Sequence, residues 1–144
     1  MKDKFLRNAT REYSSRQRGA LLVLAGMVFL ILLPAGLIFI SAHLDQFLSL
    51  PKIFFGWPNL LLSYLCIGGG LGLGLWSNYV LFTSGRGTPV PLMATQELQV
   101  QPPYSYCRNP MALGAILGYL GVAVLLGSLA AFGMVLLFAT VLLL

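Results

Sequence analysis

Charge-free apolar runs alternate with short polar breaks along this chain, and the run lengths predict its elements. Gly19 to Ala42 carries no charge and is almost wholly apolar. As a helix, its 24 residues extend about 36 Å, enough to cross a bilayer core of about 30 Å with tilt. Pro34 and Gly36 near its middle predict a kink. A neighbouring helix must then cover the carbonyl that the proline frees. The run exceeds the ~7–15 apolar residues of a cleaved signal peptide, so it reads as an uncleaved span.

His43 to Gly56 is a short polar break with Asp45, Pro51 and Lys52. The second charge-free run covers Trp57 to Phe82 and contains Gly68, Gly69, Gly70, Gly72 and Gly74. A phosphate-binding loop needs a strand before the glycines and a Lys-Ser/Thr after them. Neither is present. Small residues spaced by four, Gly68/Gly72 and Gly70/Gly74, predict close helix packing instead.

Thr83 to Asn109 is polar, with Arg86, Glu97 and Arg108, and Pro89, Pro91, Pro102, Pro103 and Pro110 fall in or just beyond it. So many prolines forbid a regular helix and predict an ordered loop or a set of short turns at the membrane surface. Met111 to Leu144 has no charge. One helix of these 34 residues would be about 51 Å long, too long for one crossing. Two short helices joined by a tight turn near Gly127-Ser128 fit better.

The expected fold is therefore all-α and polytopic. It has two long transmembrane helices and a C-terminal helical hairpin, four hydrophobic segments in all. The segments are about 19–42, 57–82, 111–127 and 129–144, in a single membrane domain 19–144 behind a tail of residues 1–18.

Composition fits this pattern. Of 144 residues 58% are hydrophobic and 9% charged, and the mean hydropathy is +0.84. Soluble domains carry about 25% charged residues. An ordinary soluble globule, a disordered chain and a secreted disulfide scaffold are excluded. Cys66 lies in an apolar run and reads as a small core residue; with Cys107 it makes no framework.

The charge is uneven. Residues 1–18 hold Lys2, Lys4, Arg7, Arg11, Arg16 and Arg18 against Asp3 and Glu12, which is +4 of the net +5. Beside a span, such a tail is a topology signal rather than a nucleic-acid arm. The break 43–56 has one cation, Lys52, and the loop 83–110 has two, Arg86 and Arg108. The N-terminus and the loop 83–110 are thus expected in the cytoplasm. The sequon Asn8-Ala-Thr10 would then face the wrong side for glycosylation.

Candidate chemistry is sparse. His43 is the single histidine and stands alone, so it reads as an interfacial polar cap, and no metal site is expected. No carboxylate pair supports glycosidase or aspartic-protease chemistry, and no Ser-His-Asp arrangement is suggested. The informative stretch is 85–114. It brings Tyr104, Tyr106, Arg108 and Asn109 to a membrane surface, between the stiff Pro103 and Pro110 and before Gly114. The planar fork of an arginine suits a carboxylate or phosphate. Aromatic rings suit a purine face or a sulfonium cation. Arginine and tyrosine also anchor ordinary membrane interfaces.

Gly85-Arg-Gly-Thr-Pro-Val-Pro, followed by Pro103-Tyr-Ser-Tyr-Cys-Arg-Asn-Pro-Met-Ala-Leu-Gly114, resembles the isoprenylcysteine carboxyl methyltransferase and phospholipid methyltransferase family. Its members are integral membrane enzymes that use S-adenosylmethionine. The resemblance covers about 57–138, including Leu126-Gly127-Ser128 in the hairpin. It implies that Tyr106, Arg108, Asn109, Pro110, Leu113 and Gly114 line the cofactor. It also implies that Tyr104 and Arg108 orient substrate or the cofactor carboxylate, with a lipid-like or prenylated acceptor. The family's glycine before Pro-Tyr is Pro102 here, and its second motif tyrosine is Ala112. Family members continue past the hairpin into a cytoplasmic segment rich in arginine, glutamate and aromatics, whereas this sequence ends at Leu144. Two expectations result: a methyltransferase with membrane lipids as partners, or a non-catalytic subunit that keeps the fold and packs against other membrane proteins. A third expectation is that the sequence is a piece of a longer enzyme; as given, it is methyltransferase-like by resemblance but expected to be incomplete as a catalyst.

Overall fold

A computed structural model of the chain describes residues 15–83 and 101–143. All its regular elements there are helical. They are α1 (Ser15–Met27), a π-helical turn (Val28–Leu32), α2 (Leu33–Phe47), α3 (Trp57–Thr83), α4 (Pro110–Leu126) and α5 (Leu129–Leu143). The stretches Val23–Phe47 and Trp57–Leu81, 25 residues each, are long and apolar enough to cross a bilayer. Pro110–Leu126 and Leu129–Leu142 are shorter apolar helices. The cationic tail as far as Arg11, and Arg86 and Glu97 of the loop, lie outside the described residues.

The break expected from Pro34 takes a definite form. In the π turn the Leu33 N–H bonds to the Val28 carbonyl, five residues back. In that register the carbonyl facing Pro34 belongs to Phe29, and proline has no N–H to give it. The Tyr119 hydroxyl of α4 donates to the Phe29 carbonyl at 2.7 Å. A neighbouring helix thus covers the freed group.

Helix α2 runs on to Phe47, five residues beyond Ala42, where the apolar run ends. Asp45, the charge that interrupts the run, does not face solvent. Its Oδ1 accepts from the Ala130 N–H at 3.1 Å. Ser128 Oγ accepts from the Ala131 N–H at 2.9 Å. The carboxylate and the hydroxyl together satisfy the open amides at the start of α5, and the negative charge suits the positive end of that helix. Between α4 and α5 the chain reverses at Gly127, with φ 58°. The hairpin turn therefore falls where the glycine-serine pair predicts. A Cβ at Gly127 would lie 2.6 Å from the Ile53 carbonyl oxygen, and Ile53 N–H donates to the Gly127 carbonyl at 2.9 Å.

The helices α3 and α4 pack antiparallel at very short range. A Cβ on Gly70 would lie 2.5 Å from the Gly114 carbonyl oxygen and 2.5 Å from the Gly118 nitrogen. A Cβ on Gly114 would lie 2.8 Å from the Gly70 carbonyl oxygen and 2.9 Å from the Gly74 nitrogen. Gly121 is pressed against Ser63 and Ile67 in the same way. Of the two four-residue pairs in the sequence, Gly70/Gly74 meets α4. Around Gly68 and Gly72 there is open space.

Helix α4 is central, with α3 on one side and α2 and α5 on the other. Leu37, Ile116, Tyr119, Ala123, Ala131 and Val135 form the core, with Leu33, Met134 and Phe138 around it. Most of the apolar surface of Val23–Phe47 and of α3 faces outward, as expected where lipid is the solvent. Several buried polar side chains are satisfied by backbone groups. Ser41, Ser63 and Ser77 donate to helix carbonyls. Asn59 donates to Ile53 and Val124 and accepts from Phe55 N–H. These contacts place the 48–56 turn and Gly127 at one end of the bundle. Ser15, Thr83, residues 101–110 and Leu143 lie at the other.

Candidate functional site

The end that carries residues 101–114 is assembled in steps. Residues 101–107 form consecutive turns, with Tyr104 N–H on the Gln101 carbonyl at 2.9 Å and Tyr106 N–H on the Pro103 carbonyl at 3.1 Å. The expected short turns are therefore seen in the described part of the loop. The Gly85–Pro91 motif lies outside the described residues. Pro103 is buried and Tyr104 half-buried. The Tyr104 hydroxyl donates to the Ser77 carbonyl at 3.3 Å, tying the turns to the last part of α3. Burial raises the Tyr104 phenol above its ordinary pKa of 10.0, which keeps it protonated and able to donate.

Arg108 follows and is exposed. Asn109 is the N-cap of α4, its Oδ1 accepting from the Ala112 N–H at 3.1 Å. Pro110 occupies the first turn, where its missing N–H costs no helix bond. These two residues fix where α4 begins. Gly114, one turn further, fixes how close that start lies to α3 through Gly70 and Gly74.

The sequence-predicted residues thus fall into two groups. Asn109, Pro110 and Gly114 shape the backbone, and Pro110 and Gly114 are buried. Tyr106, 81% exposed, Arg108 and Leu113, 45% exposed, present side chains outward. Ala112, where the family pattern has tyrosine, is buried. Ser77, Gly70 and Gly74 were not among the expected site residues; only their tertiary partners, Tyr104 and Gly114, link them to this end.

The outward group offers a guanidinium suited to an anion, a phenol ring suited to a planar or cationic group and an apolar side chain. Among the described residues no three histidine, cysteine or acidic side chains come together as a metal site. Cys66 and Cys107 are both free thiols. His43 is exposed in α2, with Phe39 edge-on to its ring at 4.5 Å.

Comparison with curated proteins and with solved structures gives no match. The family pattern described as phospholipid methyltransferase matches residues 58–144. That stretch contains α3 from its second residue on, the loop, the α4 N-terminus and the hairpin. It takes in the Gly70–Gly114 contact and the Tyr104–Ser77 bond, and it covers more than half of the chain. The chain belongs to the phospholipid methyltransferase family.

Proposed function

We propose that this chain binds S-adenosylmethionine at the end bearing residues 101–114 and methylates a lipid-like or prenylated acceptor arriving from the bilayer. The family match over 58–144 carries the reading. The site's position supports it: Arg108 and Tyr106 stand at the end of two apolar helices, where an amphiphile's polar head would lie. In this reading Arg108 binds the cofactor carboxylate and Tyr106 its ring or sulfonium. Leu113 excludes water from the reacting centre, and Tyr104 holds the turns against α3. Asn109 and Pro110 set the start of α4. When bound, the cofactor supplies an electrophilic methyl group. Its transfer needs in-line approach and a dry site more than a general base. The N-terminal tail lies on the cytoplasmic side, by its cations.

The test is transfer of radiolabelled methyl from S-adenosylmethionine to lipid in proteoliposomes. Label in the lipid fraction, lost in Arg108→Gln, supports the reading. No label with any amine- or carboxylate-bearing lipid counts against it.

A second reading rests on Ala112. Its buried methyl stands where the family pattern has a tyrosine. In that reading the chain is a non-catalytic subunit that packs in a larger membrane complex. It predicts co-purification with other membrane proteins at fixed stoichiometry; isolation as an active monomer overturns it.

A further inference from the structure

At the opposite end of the bundle, a cavity of about 290 Å³ opens between the last turns of α2, the 48–56 turn and the start of α5. Its polar lining is Ser41, Asp45, Gln46, Lys52 and Ser128. Asp45 is only 8% exposed. Among the described residues, one hydrogen bond reaches its carboxylate, from Ala130 N–H to Oδ1. A carboxylate so far out of water needs further partners for its second oxygen. Lys52 lines the same cavity but is itself exposed, and no hydrogen bond joins it to Asp45 among the described residues. The cavity thus offers a negative group in its wall and a separate positive group at its rim.

The aromatic residues at this end set the cavity's depth. Trp57 is 82% exposed at this end, and Phe47, Phe54 and Phe55 are more than half exposed beside it. Tryptophan at the end of an apolar helix marks the headgroup layer. Ile38, Ala42 and Leu50 give the cavity an aliphatic wall, and Ile38 is itself 44% exposed on α2. We propose that this cavity binds the headgroup of an amine-bearing zwitterionic phospholipid, its ammonium on Asp45 and its phosphate on Lys52. An anionic lipid without an amine satisfies Lys52 and leaves Asp45 unpaired. A divalent cation finds a single carboxylate among the described residues here, with Lys52 lining the same cavity, less negative charge than the carboxylate-rich sites such ions favour. The site is separate from residues 101–114 and makes no demand on methyl transfer.

Native mass spectrometry of the detergent-solubilised full chain, titrated with phosphatidylethanolamine or phosphatidylglycerol, tests the proposal. Wild type is expected to retain one phosphatidylethanolamine about tenfold more tightly than phosphatidylglycerol, the scale of one charged hydrogen bond. Lys52→Gln and Asp45→Asn each weaken that adduct about tenfold. Asp45 also caps α5, so Asp45→Asn is open to misfolding. Lys52 is exposed and makes no helix-capping bond among the described residues, so Lys52→Gln decides in that case. Equal affinity for the two lipids, or wild-type affinity in Lys52→Gln, overturns the proposal. S-adenosylmethionine binding should be unchanged in Lys52→Gln, so the two readings fail separately.

Discussion

The Tyr119 hydroxyl of α4 donates to the Phe29 carbonyl of the first span at 2.7 Å. It fills the acceptor that Pro34 leaves open in the π register. The pair accounts for how a proline is tolerated inside an apolar helix. Tyr119→Phe keeps the ring, which packs against Phe138 at 5.5 Å, and removes only the donor. We expect a loss of about 1 kcal/mol, between the mean for membrane hydrogen bonds and the cost of an orphaned carbonyl. Pro34→Ala returns an N–H to the chain, so Tyr119→Phe should cost less than half as much in that background. Unfolding of the four variants in mixed micelles measures the cycle. An equal cost in both backgrounds contradicts the pairing.

The glycines separate by position. Gly70→Ala and Gly114→Ala place a methyl within 3 Å of backbone on the facing helix. Backbone cannot rotate away as a side chain does, so each should cost more than about 2 kcal/mol or prevent folding. Gly68→Ala and Gly72→Ala meet open space and should be neutral or slightly stabilising through helix propensity. Thermal unfolding of the four single variants checks the contrast.

At the α4 N-terminus, Asn109→Ala removes the acceptor for the Ala112 amide and should cost about 1 kcal/mol. Asn109→Asp retains a capping oxygen and adds charge of the sign the helix start favours, so its stability should match wild type. A loss in Asn109→Asp equal to that in Asn109→Ala would contradict the capping role.

Tyr104 gives the loop a pH dependence. Burial raises the folded phenol above 10.0, so the folded state holds this proton more tightly than the unfolded one. The contribution is therefore complete below pH ~10, the unfolded phenol value, and is lost as pH rises through the folded one. Subtracting the phenolate absorbance of Tyr104→Phe from that of wild type isolates this group. Its midpoint should lie above 10.0, and a midpoint below that value contradicts the buried placement.

Much of the fold is legible from local signals. Unbroken apolar runs mark the helices, and Gly127-Ser128 marks the hairpin turn because one residue takes φ 58° and the next caps α5. What was not legible depends on partners far along the chain. Asp45 reads as the start of a polar break, yet the α5 amide it accepts from is 85 residues away, and α2 continues through it. Pro34 predicts an orphaned carbonyl without saying which helix covers it; Tyr119, 90 residues from Phe29, supplies the answer. Four-residue glycine spacing predicts packing but does not choose between faces. At the candidate site, Arg-Asn-Pro marks the start of α4, which Asn109 caps and Pro110 opens, while the bond from Tyr104 to a backbone carbonyl of α3 leaves no trace in side-chain type.

Calorimetric titration of S-adenosylmethionine into the detergent-purified chain tests the central claim most directly. The account predicts saturable heat with 1:1 stoichiometry. Affinity should fall about tenfold in Arg108→Gln, the loss of one charge-assisted contact, and stay unchanged in Lys52→Gln. No heat at millimolar cofactor, or equal binding in wild type and Arg108→Gln, contradicts it.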